Sequence, residues 1–142
     1  MPELFGEHRY RMDPKGRISL PEKFREAFAD GVYLTLGLDG SLIALPREEF
    51  ERQLSQLDEM PLSDPKARAF GRFFMANTER MDLDGQGRVV IPQKLRQKAG
   101  LGTEVVVTGA GRRLEVWSVD AWDRYQGAFE SQYASGTLVP DR

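Results

Sequence analysis

Two spacings of apolar residues alternate along this chain. A period of two marks strands, and recurrence at three and four residues marks helices. The segments "HRYRM" and "RISL" read as short strands on either side of "DPKG", and "TERMDL" and "RVVI" repeat the arrangement around "DGQG". Both intervening tetrapeptides have turn compositions. Phe24, Ala27 and Phe28 fall at i, i+3 and i+4 and predict a short helix ended by Gly31; Leu95 and Ala99 predict its counterpart, ended by Gly100. Pro21 and Pro92 suit the first position of these helices. "VYLTL" and "LIAL" flank Asp39-Gly40, a strong hairpin dipeptide, and "EVVVT" and "LEVWS" flank the looser "GAGRR". Amphipathic helices follow, with Phe50, Leu54 and Leu57 on one stripe and Trp122, Tyr125 and Phe129 on the other. Between them, Asp64-Pro65 reads as the N-cap and first position of a further helix. It carries Phe70, Phe73 and Phe74, and at least two of these rings are expected in the core.

The order of elements is thus stated twice. A shift of 71 positions lays Asp13 on Asp84, Gly16 on Gly87, Arg17 on Arg88 and Pro21 on Pro92. It also lays Lys23 on Lys94, Phe24 on Leu95 and Arg25 on Arg96; one inserted residue then brings Leu42 to Leu114 and Phe50 to Trp122. Repeats of this size are best recognised before any fold is assigned. Half a chain with short strands and one apolar face is too small to be stable alone, so the two halves are expected to share a core as a covalent pseudo-dimer.

Composition narrows the class. The chain has 142 residues, the size of one ordinary domain, and 40% of them are hydrophobic, which excludes a disordered polymer. It has no cysteine and no apolar run that could span a bilayer, and "MPELFGEHRY" lacks a signal-peptide core, so a cytosolic protein without membrane association is expected. The net charge of -2 does not advertise a nucleic-acid binder, although an average can conceal one basic face.

The doubled Asp-x-x-Gly-Arg motif carries the candidate chemistry. Arg17 has two readings: its rigid fork reaches guanine edges or phosphates, or it pairs with Asp13 and fixes the turn. The two can coexist. Around the first motif, Arg9, Arg11, Lys15 and Arg17 stand against Asp13; around the second, Arg80 and Arg88 stand against Asp82 and Asp84, with Gln86 in place of Lys15. The first copy is therefore the better phosphate-facing surface, and Arg88 has the larger structural share. Lys23, Arg25, Lys94 and Arg96 read as solubilising helix surface. Enzyme readings fail on inventory. The single His8 has no cysteine to activate and sits beside a mobile terminus; "DLDGQG" places Gln93 where a calcium loop needs Glu; and Val90 occupies the third glycine position of a dinucleotide fingerprint. No catalytic residue, metal or cofactor is indicated.

The order of strand, Asp-x-x-Gly-Arg, strand, Pro and Lys-Phe-Arg helix resembles the SpoVT/AbrB-type element. Two copies, opened by "FGEHRYRMDPKGRISLP", resemble the MraZ family of bacterial transcriptional regulators. That resemblance implies an α+β fold, a swapped-hairpin (AbrB/MazE-like) β-barrel formed by two internal repeats with short flanking helices. It implies a ring-like homo-oligomer in the cytoplasm, associated with the nucleoid. It also implies binding to short direct repeats of double-stranded DNA in the promoter of the division and cell-wall gene cluster, often as a repressor. The repeats are expected at 7–54 and 77–127, with a connecting helical segment at 55–76 and a frayed tail at 128–142. The expected DNA-binding residues are Arg17, Lys15, Arg9, Arg11 and Arg88, with Asp13, Gly16, Asp84 and Gly87 supporting the motif. The rival is a protein-interaction module of antitoxin type on the same barrel.

Overall fold

In the computed structural model, which describes residues 3–140, the period-two segments become eight strands and the helical ones five helices. The strands are β1 (Glu7–Arg11), β2 (Arg17–Ser19), β3 (Val32–Leu36), β4 (Leu42–Pro46), β5 (Glu79–Met81), β6 (Arg88–Val90), β7 (Glu104–Gly109) and β8 (Leu114–Ser118). The helices are α1 (Glu22–Arg25), continued by a 3-10 turn to Phe28, α2 (Arg47–Asp58), α3 (Pro65–Ala76), α4 (Gln93–Lys98) and α5 (Val119–Ala134). Pro21 and Pro92 stand at N-caps with extended ψ, one place before the first helical position expected of them, and Pro46 caps α2 in the same way. Asp64 caps α3 through its side chain, accepting from the Lys66 N–H, with Pro65 behind it. The Asp39-Gly40 turn has both residues at positive φ (65° and 92°), the geometry that matches the twist of a hairpin.

Strand pairing shows how the halves combine. The larger sheet runs β1-β7-β8-β4-β3-β5, so the lone strand of each half pairs with the hairpin of the other. Tyr10 faces Val105 on one side, and Tyr33 faces Arg80 on the other. The hairpins meet through β4 and β8, with Ile43 opposite Glu115. A second, two-stranded sheet joins β2 to β6. The barrel expected from the sequence is not closed: among the described residues, β1 and β5 are the free ends of the sheet.

One core spans both halves. Ile18, Leu20, Phe24, Phe28, Val32 and Leu34 pack with Val89, Ile91, Leu95, Val105, Val107 and Leu114 on the inner face. A smaller cluster of Leu45, Phe50 and Phe74 lies on the outer face of the first hairpin, under α2 and α3. Two expectations change here. Only Phe74 of the three α3 rings is buried; Phe70 is 45% and Phe73 64% exposed. The helix turns Phe74 toward Phe50, whose stacked ring lies 6.1 Å away, and among the described residues the Phe73 face stays exposed. The α5 stripe packs as expected, Trp122 and Tyr125 each 5.3 Å from Trp117, yet no α5 residue is fully buried. That helix continues past residue 127 to Ala134, and Asp141 and Arg142 of the expected tail lie outside the described residues. The segment beside His8, expected to be mobile, is packed from Leu4 onward: Leu4 is buried and bridges Gly111, and the His8 ring packs edge-on to Phe24 at 5.5 Å. Among the described residues, no helix is long and apolar enough to cross a membrane.

Candidate nucleic-acid interface

The two Asp-x-x-Gly-Arg segments fold into the same turn and lie side by side, because the strands that follow them pair with each other. In the first turn, Asp13 Oδ1 accepts from the Lys15 N–H at 2.9 Å and the Arg17 N–H at 2.8 Å, and Oδ2 accepts from Arg17 Nε at 2.6 Å. In the second, Asp84 Oδ1 accepts from the Gln86 and Arg88 N–H groups, both at 2.9 Å, and Oδ2 from Arg88 Nε at 2.7 Å. Gly16 and Gly87 adopt φ of 83° and 73°, a region in which a Cβ is strained. Each carboxylate is held below its ordinary pKa, first by the arginine backbone N–H and then by its side chain, while partial desolvation opposes the shift. Two groups named separately from the sequence therefore form one unit at each turn.

The register of β2 and β6 sets the outer face. Ile18 lies opposite Val89 and both point into the core, while Arg17 lies opposite Val90 and Ser19 opposite Arg88 on the other side. A twisted ribbon thus displays Arg17, Ser19, Arg88 and Val90 outward. Each motif arginine uses Nε for its aspartate, and no protein acceptor meets its Nη groups among the described residues. The two Nη groups offer an edge that can form bidentate bonds to guanine O6 and N7. Pairing with Asp and reading a base are therefore compatible.

The remaining candidates divide. The Lys15 ammonium makes no ion pair among the described residues and stands beside Arg17 in the first turn. Arg9 instead points to the outer face of the sheet, where Asp123 and Glu7 take it at 3.2 and 3.5 Å. Arg11 meets Glu104 at 3.4 Å and lines a cleft next to the first turn. The structure does not bring Arg9 to the ribbon.

Two functional candidates were missed from the sequence. Arg25 and Arg96, read as solubilising surface, lie against the turns of the opposite halves. A Cβ built on Gly16 would sit 2.9 Å from Arg96 Cζ, and one on Gly87 would collide with Arg25. The carbonyls of these glycines also cross over, Gly16 O accepting from the Ile91 N–H at 2.8 Å and Gly87 O from the Leu20 N–H at 3.0 Å. Each turn thus borrows one cation from the other half, which leaves the charge difference between the two turns as the sequence has it. Lys23 and Lys94 are also engaged, Lys23 over the Phe5 and Phe24 rings and Lys94 donating to Ala76 O.

Comparison with known proteins agrees with the doubled architecture. The family described as "MraZ protein, putative antitoxin-like" matches residues 4–73 and 74–136, one half of the chain in each match. The chain is similar to proteins named "Transcriptional regulator MraZ". It is 43% identical to that of Saccharopolyspora erythraea over 131 residues, covering 92% of each chain. It is 45% identical to that of Paenarthrobacter aurescens, again covering 92% of each, and 44% identical to that of Deinococcus radiodurans, covering 90% of each.

Proposed function

The chain belongs to the MraZ family, and from that membership we propose that it is a DNA-binding transcriptional regulator that reads duplex DNA with the β2–β6 ribbon. The carrying observation is the paired turns, which place two motif arginines on the outer side of one ribbon with no protein acceptor at their Nη groups among the described residues. The major groove of B-DNA admits a two-stranded ribbon. Arg17 and Arg88 are the base or phosphate contacts, Lys15 adds a phosphate contact at the first turn, and Asp13 and Asp84 orient the guanidiniums. Arg11, held only by a long contact to Glu104, is a peripheral phosphate candidate. The targets are short direct repeats in the promoter of the division and cell-wall gene cluster, bound in the cytoplasm at the nucleoid, with repression as the outcome.

A ring-like homo-oligomer suits such targets, since several modest contacts on one repeat array gain affinity through effective concentration. The surface that supports assembly is a groove of about 420 Å³ lined by Leu36, Leu38, Ile43, Phe70, Phe73 and Phe74. Leu38 is 73% exposed at its rim. The same groove favours a second reading, an antitoxin-type module that grips a protein partner.

Fluorescence anisotropy on a duplex from the chain's own upstream region, against an unrelated duplex, separates the two readings. DNA binding predicts preference for the upstream duplex and a steep loss of affinity with salt. Arg17→Ala should remove about 1–3 kcal/mol per protomer, the worth of a bidentate base contact. Arg88→Ala should cost less, because Asp82 and Gln86 make its surroundings poorer for phosphate. Equal, salt-insensitive affinity for both duplexes would leave only the protein-interaction reading.

A further inference from the structure

We infer that Arg96 and Arg25 are positioning residues that act across the molecule, each bracing the DNA-reading turn of the opposite half; the inference rests on the reading above. Arg96 belongs to α4, in the second half, and its guanidinium fills the space over Gly16 where a side chain would otherwise stand. Arg25 closes the first-half helix and fills the same space over Gly87. The arrangement is tied into the backbone. Arg25 Nε donates to Leu20 O at 3.1 Å, and the N–H of the same Leu20 donates to Gly87 O. Arg25, the end of β2 and the second turn therefore move together. In the mirror relation the Ile91 N–H donates to Gly16 O, while Arg96 Nε is enclosed without a protein acceptor.

Neither guanidinium forms an ion pair among the described residues, although charged surface arginines elsewhere in the chain do. Arg9, Arg47, Arg52 and Arg80 all meet carboxylates within 3.5 Å. An arginine packed against a glycine, without a counter-ion, adds positive potential to the turn and blocks the backbone movement that glycine would permit. The motif arginine follows that glycine directly, so its Nη edge inherits the rigidity. A base contact depends on placement within a few tenths of an ångström, so a loosened turn loses affinity without losing a contact of its own.

The test is a crossed pair of double-mutant cycles on the full chain. Arg96→Ala should weaken binding to the upstream duplex by about tenfold, within the range of couplings in one contact network. In the Arg17→Ala background the same change should cost little more, whereas in the Arg88→Ala background it should cost its full tenfold. Arg25→Ala should show the reverse, coupling to Arg88 and adding independently to Arg17. A readout that needs no DNA accompanies the cycles. In protein labelled with 15N-arginine, the Nε–Hε resonance of Arg17 should move in Arg96→Ala, and that of Arg88 in Arg25→Ala. Arg96→Lys keeps the charge but not the plane, so it should retain the salt slope and still shift the Arg17 resonance. It also supplies both readings where Arg96→Ala does not fold. Independent losses at Arg96 and Arg17 with an unmoved Arg17 resonance would overturn the inference and make Arg96 a DNA contact in its own right. Coupling within one half, Arg96 to Arg88, would overturn it as well. If the wild-type chain binds no DNA, the functional reading fails by itself and the resonances alone decide the bracing.

Discussion

Asp13 and Asp84 each satisfy two backbone N–H groups with one oxygen and a guanidinium with the other. This gives a pH prediction with a definite sign. Both folded-state pKa values are lowered, whereas an unfolded aspartate titrates near about 3.9. Above that unfolded value, the contribution of both turns to stability is fully present; it is lost as pH falls through the lowered folded values. The melting temperature should therefore owe nothing to these groups' titration between pH 7 and 5 and should drop below about pH 4. An Asp13→Asn, Asp84→Asn double variant should start lower and show a shallower acid limb; an acid limb identical to wild type would remove the turns from the account. The motif and its pairing were legible in the sequence, because spacing and residue chemistry specify a local turn. Arg25 and Arg96 were not, since their partners lie in the other half. The available signal was their equal offset from the motif, eight residues after Arg17 and eight after Arg88.

The connecting helix shows how far periodicity reaches at the level of elements. Its cap, its first proline and its extent follow from Asp64, Pro65 and the apolar spacing. Which ring is buried depends on what the helix lies against. Phe74 stacks with Phe50, and its carbonyl accepts from the buried Thr35 hydroxyl at 3.1 Å, tying α3 to β3. Phe74→Ala should destabilise the chain by about 3 kcal/mol, toward the low end for a core Phe because the cluster is small. Phe73→Ala should stay within about 0.5 kcal/mol, as a solvent-facing substitution, when chemical denaturation is followed under conditions that keep the chain monomeric. In the proposed oligomer the order reverses: Phe73→Ala should lower the mass seen by light scattering with the fold intact. A mass unchanged from wild type would take the Phe73 face out of the assembly. Glu115 offers a contrast on β8. Burial pushes its carboxyl up, only partly offset by Arg113, so its ionised form opposes folding at neutral pH. Glu115→Gln should therefore leave the melting temperature unchanged or raise it at pH 7, with the benefit shrinking toward pH 4.

Across the whole molecule, the exchange of strands makes each half incomplete. In residues 1–62 alone, β1 has lost β7, β3 has lost β5, β4 has lost β8, and Ile18, Phe24 and Val32 face no opposing core. That fragment should be unfolded or should self-associate to recover equivalent partners, as size-exclusion chromatography and amide NMR dispersion will report. A monomeric, well-dispersed spectrum would mean independent repeats and contradict the shared core. The intact chain should scatter with a mass several times its 16.1 kDa. The sequence by itself determined the repeat, the strand and helix segments, the two hairpins and the turn chemistry around Asp13 and Asp84. These rest on local periodicity, capping and φ preferences, which act within a few residues. Only the tertiary structure decided that β2 and β6 pair, that each turn rests on the other half's arginine, that Arg9 pairs with Asp123 of α5, and that the sheet stays open between β1 and β5. The contacts among them join residues about 60 or more positions apart. Packing and strand register select them, and no local pattern in the chain encodes which distant surface a side chain will meet.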